Sequence, residues 1–380
     1  MTEPSADSTH PELPPAVLAQ LPTPCLLVDL PAADRNIAAA AQLLRGTDVR
    51  LRPHFKAHKC TELMRRQVQA EGCFGVTCQT AWEAVSLSAA GFTDILVANV
   101  VVDPAALAQL GHAARAARIT VAADCFEHVR LLDQAAAAAD VTFRLLVELD
   151  VGMGRCGLPA RSPSLVSLAE AIASASRLDF IGVQAYAGHA ALRAGRELRR
   201  TLACQVELQV AAELDRLTQA GLSCPVVTGG GTGTLEALAQ GTVFTEAQAG
   251  SYVLLDAAYD GLQLPFEPAL FCVTTVISRA EPERAILDAG LKALAVDEGL
   301  PVPAQPGLRI LGLADEHARL AIAAGTSLSV GDKVFLIPSH IDPTVNLHDA
   351  LYVYDGARLS RWPVDGRRVT QPLAGRVFPL

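Results

Sequence analysis

Lysine is scarce in this 380-residue chain: Lys56, Lys59, Lys292 and Lys333 are the only four, and two share the stretch RPHFKAHK with His54 and His58. A Schiff base to a carbonyl compound needs a lysine amine, so a lysine-dependent chemistry has few candidates here. Arginine supplies the other basic residues, a bias that a GC-rich genome produces without any function. That bias does not explain two lysines packed with two histidines directly after a strand-like run. A second group is TGGGTGT, Thr228 to Thr234, which enters the short helical segment Leu235–Gln240. Consecutive glycines at a helix N-terminus expose backbone N–H groups to an anion such as a phosphate, although a glycine run is also a common tight turn. A third is PSHIDPTVNLHD, Pro338 to Asp349. On an extended segment, residues two apart share a face, so His340 and Asp342 would present an imidazole and a carboxylate together; the plainer reading is an ordinary turn before Pro343. Two protein ligands cannot close a four-coordinate structural site. They leave positions open for water or substrate, as a Lewis acid acting on a hydroxyl requires.

The elements that would position these groups alternate as β and α. Strand-like runs fall at Val49–His54, Gly75–Cys78, Asp94–Val100, Ile119–Asp124, Phe143–Asp150, Phe180–Tyr186, Pro225–Gly229 and Phe244–Gly250. Helical patterns lie between them, as at Thr61–Ala70, Ala81–Ala90, Pro104–Ala116 and Arg196–Ala220. Eight such units over about 250 residues match a (β/α)8 TIM-like barrel, with a doubly wound open sheet as the other arrangement. Beyond Ala269 the helices fade, and Leu270–Ser278, Arg284–Leu287, Lys333–Ile337 and Ala350–Tyr354 read as antiparallel strands of a second, mostly β domain. The expected division is a partly disordered lead-in over 1–22, a barrel over 23–268 and the β domain over 269–380.

The unusual residues then fall at the carboxyl ends of barrel strands, where barrel enzymes carry their chemistry. Lys56 follows the first strand and Gln79 the second, Asn99 and Asp124 end the third and fourth, and Arg155 lies after the fifth. Tyr186 ends the sixth, the glycine run follows the seventh, and AGSY, Ala249 to Tyr252, follows the eighth. The loops after strands seven and eight are the habitual phosphate site of a barrel. A phosphorylated aldehyde with a lysine partner is pyridoxal 5'-phosphate. Lys59, three residues after Lys56, is expected to be solvated.

Composition excludes other classes. A net charge of −9 and no basic cluster argue against nucleic acid. No apolar run reaches the roughly 18 residues of a membrane span, and MTEPSADSTHPELPP has no basic n-region of a secretory signal. Nine cysteines, odd in number and without a CxxC pair, fit neither a disulfide framework nor a zinc ribbon and suit a reducing cytoplasm.

Taken in order, RPHFKAHKC, DVGMGRCG, QAYAG, TGGGTGT, EAQAGSY, LDAGLKA, ADEH and PSHIDPTVNLHD resemble the D-threonine aldolase and D-serine dehydratase family, pyridoxal phosphate enzymes of the alanine-racemase fold type. The resemblance runs from TPCLLVDL, Thr23 to Leu30, to the C-terminus. It implies a homodimer in which the partner's β domain helps to close the active site. Residue by residue, it implies Lys56 as the Schiff-base lysine, Gln79 and Arg155 around the cofactor's phenolic oxygen, and Tyr186 beside the pyridine nitrogen. It also implies a phosphate cup from Gly230, Gly231, Thr232, Gly250, Ser251 and Tyr252, and His340 with Asp342 on a divalent metal, manganese, magnesium or zinc. The chain departs from the aldolases in the loop after Tyr186: theirs carries a histidine several residues on, whereas YAGHAALRAG has only His189. His189 and a metal-bound water are thus the candidate bases.

The activity so implied is cleavage of D-β-hydroxy-α-amino acids to glycine and an aldehyde. A D-serine or D-3-hydroxyaspartate dehydratase is the alternative on the same fold, and a non-catalytic cofactor carrier a third. Position 342 discriminates, because the dehydratases tend to place a cysteine thiolate there and the aldolases a carboxylate. A His/Asp pair suits harder ions than a thiolate does.

Overall fold

The computed structural model describes residues 10–367. Its eight parallel strands are Arg50–Leu51, Val76–Cys78, Asp94–Val97, Arg118–Ala123, Phe143–Asp150, Leu178–Ala185, Val226–Gly229 and Glu246–Ala247. They pair in chain order, with the last beside the first. The ring closes where Leu51 bridges Cys73 and His54 bridges Thr77, both in parallel, which rules out the doubly wound open sheet. The first strand is shorter than the run Val49–His54 because Pro53 has no N–H to give a ladder; its carbonyl still accepts from Thr77 N at 2.8 Å.

Two of the helices between the strands begin at a side-chain cap. Thr80 Oγ1 accepts from Glu83 N at 3.2 Å to start Ala81–Ala89, and Asp103 accepts from Ala106 N at 2.9 Å to start Pro104–Ala113, with Pro104 in the first turn. Their apolar faces bury Ala84, Leu87, Leu107 and Leu110 against the barrel's outer wall.

The second sheet is mostly antiparallel, and its order runs Leu308–Leu313, Ala318–Ile322, Arg284–Leu287, Leu270–Glu281, Cys25–Asp29, Ala350–Tyr354, Leu359–Pro363, with Lys333–Ile337 also on the long strand Leu270–Glu281. Cys25–Asp29 is a correction to the expected division. It lies in the segment read as the barrel's start, yet pairs Leu27 with Phe271 on one side and with Tyr352 on the other. Its fully apolar run Leu26–Val28 suits a central strand buried on both faces, and the chain crosses to the barrel only afterwards, through the helix Leu30–Leu44. The lead-in is also more ordered than expected where it is described: Leu21 joins Phe271 and Phe335 in a small core, and His10 stacks on Phe335 with ring centroids 4.4 Å apart. Residues 1–9 of the expected lead-in and 368–380 of the expected β domain lie outside the described residues.

Candidate active site

Lys56 lies in the single turn Phe55–Ala57 just beyond the first barrel strand. Phe55 and Ala57 are buried and fix the turn, and Lys56 between them is ion-paired with Asp342 of the second domain. Burial opposes the charge on each partner, and the opposite charge outweighs it: the Lys56 pKa is raised and the Asp342 pKa lowered. His54 caps the turn, its Nδ1 accepting from Lys56 N at 3.4 Å. Burial, reinforced by the Lys56 ammonium, pushes the His54 pKa down to about 3, so its imidazole is neutral and only weakly basic. His58 serves the framework instead. Its Nε2 lies 2.8 Å from Gln67 Oε1, and Gln67 Nε2 donates to Tyr252 OH at 2.9 Å, a buried chain that ties the lysine turn to the segment after the eighth strand.

Lys59 is not solvated, contrary to expectation. It pairs with Glu83, a carboxylate only 1% exposed, at 3.3 Å and donates to Asn346 Oδ1 at 2.9 Å, so it links the barrel to the second domain. A positive φ of 49° at Lys59 turns it back towards them.

The segment Pro338–Asp349 also differs from the extended form assumed for it. His340 is extended, but Ile341–Val345 is a short helix with Asp342 in its first turn, where Pro343 is tolerated because the first N–H groups of a helix have no partner within it. The two side chains remain neighbours electrostatically, His340 helping to lower the Asp342 pKa. His340 Nδ1 lies 2.6 Å from Asp297 Oδ2, which leaves Nε2 as the outward nitrogen. Among the described residues, Asp342 Oδ1 is buried without a partner, and so is one oxygen of Asp256, whose other oxygen accepts from Ile341 N at 2.9 Å. Among the described residues, Asp297, Glu298 and His340 bring their ligand atoms within 4.8 Å of one another. Asp256 and Asp297 were not singled out in the sequence; a DEG turn and a lone Asp after LL carry no spacing signal. Their arrangement, unpartnered buried carboxylate oxygens beside an oriented imidazole, fits a divalent cation.

Gln79 leaves the second strand with its N–H on Glu83 Oε2 at 2.7 Å and its amide on Ala98 O at 3.0 Å. The Arg155 guanidinium lies 5.4 Å from the centroid of the Tyr186 ring. Gly188 lets that ring lie flat on the backbone, since a Cβ there would come within 2.6 Å of it. His189, in the short helix Gly188–Ala191, packs against Gly152, and its buried Nδ1 has no partner among the described residues. Its backbone N–H donates to Met153 Sδ at 3.1 Å, in the loop after the fifth strand.

The glycine run behaves as a cradle only in part. Gly230 has φ +66°, a conformation that favours glycine, and Gly250 is pressed against His54, whose carbonyl oxygen a Cβ would approach to 2.8 Å. The amides of Gly230, Thr232, Gly250 and Ser251 make no hydrogen bond among the described residues. Two expected donors are engaged elsewhere: Tyr252 N donates to Thr232 Oγ1 at 2.9 Å and Gly231 N to Thr234 Oγ1 at 3.1 Å. Four uncommitted amides around two glycines fit a phosphate dianion.

Residues 28–257 match the family described as alanine racemase, N-terminal domain, and residues 269–354 match a serine dehydratase domain. The chain belongs to the alanine racemase N-terminal domain family. Within it, the chain is 40% identical over 357 residues to a D-threonine aldolase from Arthrobacter sp, covering 92% of this chain and 94% of that one. It is 36% identical over 369 residues to a 3-hydroxy-D-aspartate aldolase from Paracoccus denitrificans (strain Pd 1222), covering 94% and 95%. The crystal structure of D-threonine aldolase from Filomicrobium marinum superposes with a TM-score of 0.87 at 36% identity, covering 92% of this chain and 97% of that one. Aldolases are lyases, and this family member is an enzyme of that class. The fold expected from the motifs, a barrel followed by a mostly antiparallel β domain, is therefore the fold of the family and of this chain.

Proposed function

We propose that this chain is a pyridoxal phosphate- and divalent-metal-dependent aldolase that cleaves D-β-hydroxy-α-amino acids to glycine and an aldehyde. The observation that carries the reading is the meeting of Lys56, from the barrel, with Asp342, from the His340–Asp342 segment of the second domain. If Lys56 is the cofactor lysine and Asp342 a metal ligand, this contact would put the two groups at one point. When bound, pyridoxal phosphate supplies an electron sink for the Cα–Cβ bond, and a divalent cation supplies a Lewis acid for the β-hydroxyl.

The chain's own groups then have separable roles. Lys56 holds the aldehyde carbon. The amides of Gly230, Thr232, Gly250 and Ser251 hold the phosphate, and Tyr186 and Arg155 flank the ring, with Gln79 beside His54. His340 and Asp342 hold the cation, Asp297 orienting the imidazole. His54, kept neutral and weakly basic by burial, caps the lysine turn rather than taking up a proton. Of the two candidate bases, His189 and a water on the cation, this reading takes the water, whose pKa a divalent ion lowers. A homodimer closing the site with a second copy's β domain, and a cytoplasmic location, are parts of the same reading.

A dehydratase is the second reading, favoured by the match of residues 269–354 to a serine dehydratase domain. Asp342 supports the aldolase. Incubating the enzyme with D-threonine, D-serine and D-3-hydroxyaspartate, with and without manganese, separates the two. Glycine plus an aldehyde is the expected outcome, and a keto acid plus ammonia as the main product overturns it.

A further inference from the structure

A second polar cavity, of about 200 Å³, opens at the opposite, amino-terminal end of the barrel. Arg50, Asp94, Arg118 and Glu246 each begin a barrel strand and Arg144 is second in its strand, so their side chains gather at that end together with Arg52. Leu96, Ala98 and Leu146 pack across the barrel between this cavity and the mouth that holds Lys56. The two sites are separate.

Its charges do not cancel. Arg52 is fully engaged, with Nε 2.8 Å from Glu246 Oε2 and NH1 2.6 Å from Asp94 Oδ1. Arg118 pairs with the other oxygen of Asp94 at 2.9 Å. Both carboxylates are thus neutralised, and two guanidiniums remain. Arg50 reaches only to 4.0 Å from Glu246, and Arg144 makes no hydrogen bond or ion pair among the described residues. Thr120 lines the same space; it is buried, and its hydroxyl also has no partner among the described residues. Arg50 and Arg52 both lie over the Phe74 ring, their guanidinium carbons 4.0 and 4.2 Å from its centroid, a contact that helps to position Arg50. A net excess of two positive charges, two guanidinium forks and a hydroxyl donor match a tetrahedral dianion. The volume exceeds the roughly 30 Å³ of one water several times over and falls below the roughly 300 Å³ at which organic-ligand pockets begin. A small ion fits.

We propose that the amino-terminal end of the barrel binds a phosphate-class oxyanion between Arg144, Arg50 and Thr120. Nothing in the aldolase reaction uses this end, so the site is independent of the function proposed above.

The test is calorimetric titration of the cofactor-loaded enzyme, whose own phosphate cup is then filled, with inorganic phosphate; a second arm uses glycerol phosphate to distinguish the free ion from a phosphate carried on a small molecule. Saturable binding at millimolar phosphate is expected, together with a rise in Tm, because a ligand of the native state stabilises it. Arg144→Ala should weaken binding about tenfold or more, one charged contact of about 1.4 kcal/mol, and leave D-threonine turnover unchanged. Should that variant not fold, the near-isosteric Thr120→Val is read in the same way. No saturable binding to the wild type, or equal binding in a folded Arg144→Ala or Thr120→Val enzyme, overturns the proposal.

Discussion

Lys56 and Asp342 form an ion pair although 286 positions separate them in the chain, one at the mouth of the barrel and the other in the first turn of a short helix in the second domain. The pair fastens the two domains where the chemistry is proposed to occur. In the cofactor-free protein it should be visible as a pH-dependent contribution to stability. The Asp342 pKa is depressed, so its share is present above the ordinary value of 3.8 and fades as pH falls through the lowered value. The Lys56 pKa is raised, so its share is present below 10.5 and is lost as pH rises through the higher value. Asp342→Asn should therefore cost most on the plateau between these limits. With Lys56 38% exposed, screening holds the cost to about 1 kcal/mol. Denaturant melts of both apo-proteins across that range should converge at the acid and alkaline ends; a difference independent of pH would mean that the pair is not ionic.

Glu148 provides a second pH test. Its carboxyl lies inside the barrel, hydrogen-bonded by Gln184, which in turn accepts from Gln248 at 2.9 Å. Burial pushes its pKa from 4.5 up to about 8. A raised carboxyl favours folding while protonated and loses that contribution as pH climbs towards 8. Glu148→Gln, which cannot ionise, should gain stability relative to the wild type steadily from pH 4.5 to about 8 and then level off. Parallel stability curves for the two proteins would show that Glu148 is charged in the folded state.

The glycine run can be tested without confusing cofactor binding with strain. Any side chain at Gly230 is strained by φ +66° and meets Leu238 at 2.8 Å, so Gly230→Ala should lower Tm with or without cofactor. Gly231 is extended, and a Cβ there would meet only the Tyr186 ring, at 3.8 Å. Gly231→Ala should keep the apo-protein's Tm, while its methyl, set between the uncommitted amides of Gly230 and Thr232, should obstruct the phosphate and weaken retention of pyridoxal phosphate during dialysis. Unchanged retention would make the run a turn and nothing more.

Asp297 is the positioning residue with the clearest readout. Its carboxylate lies 2.6 Å from His340 Nδ1, and loss of such a partner typically lowers metal affinity about 10–100-fold. Asp297→Asn should show that drop in a direct manganese titration, with the apo-protein's Tm unchanged, because Asp297 is half exposed. Equal affinities would remove it from the site.

The barrel was legible because its helices and strands repeat with distinct periods and because Lys56, Gln79, Arg155, Tyr186 and the glycine run each follow a strand. Cys25–Asp29 was misplaced, since a strand's partners are fixed by long-range pairing with Phe271 and Tyr352 and not by its own apolar run. Lys59 was misread for a related reason: spacing gives its distance from Lys56 but not Glu83 and Asn346, which fold against it from elsewhere. His189 stood out as the only histidine near Tyr186, yet the short helix that carries it faces Gly152 and Met153. Asp256 and Asp297 had no motif at all, and only the fold brings them to Ile341 and His340.

The central claim, that His340 and Asp342 hold a catalytic cation opposite Lys56, is tested most directly by chelation of the cofactor-loaded enzyme. Because the barrel's apolar core is complete without the ion, the metal-free protein should stay folded and keep the visible absorbance of its bound cofactor. Release of glycine from D-threonine should fall to background and return on addition of manganese. Undiminished cleavage in enzyme shown to be metal-free, or loss of the cofactor and of the fold on chelation, would contradict the account.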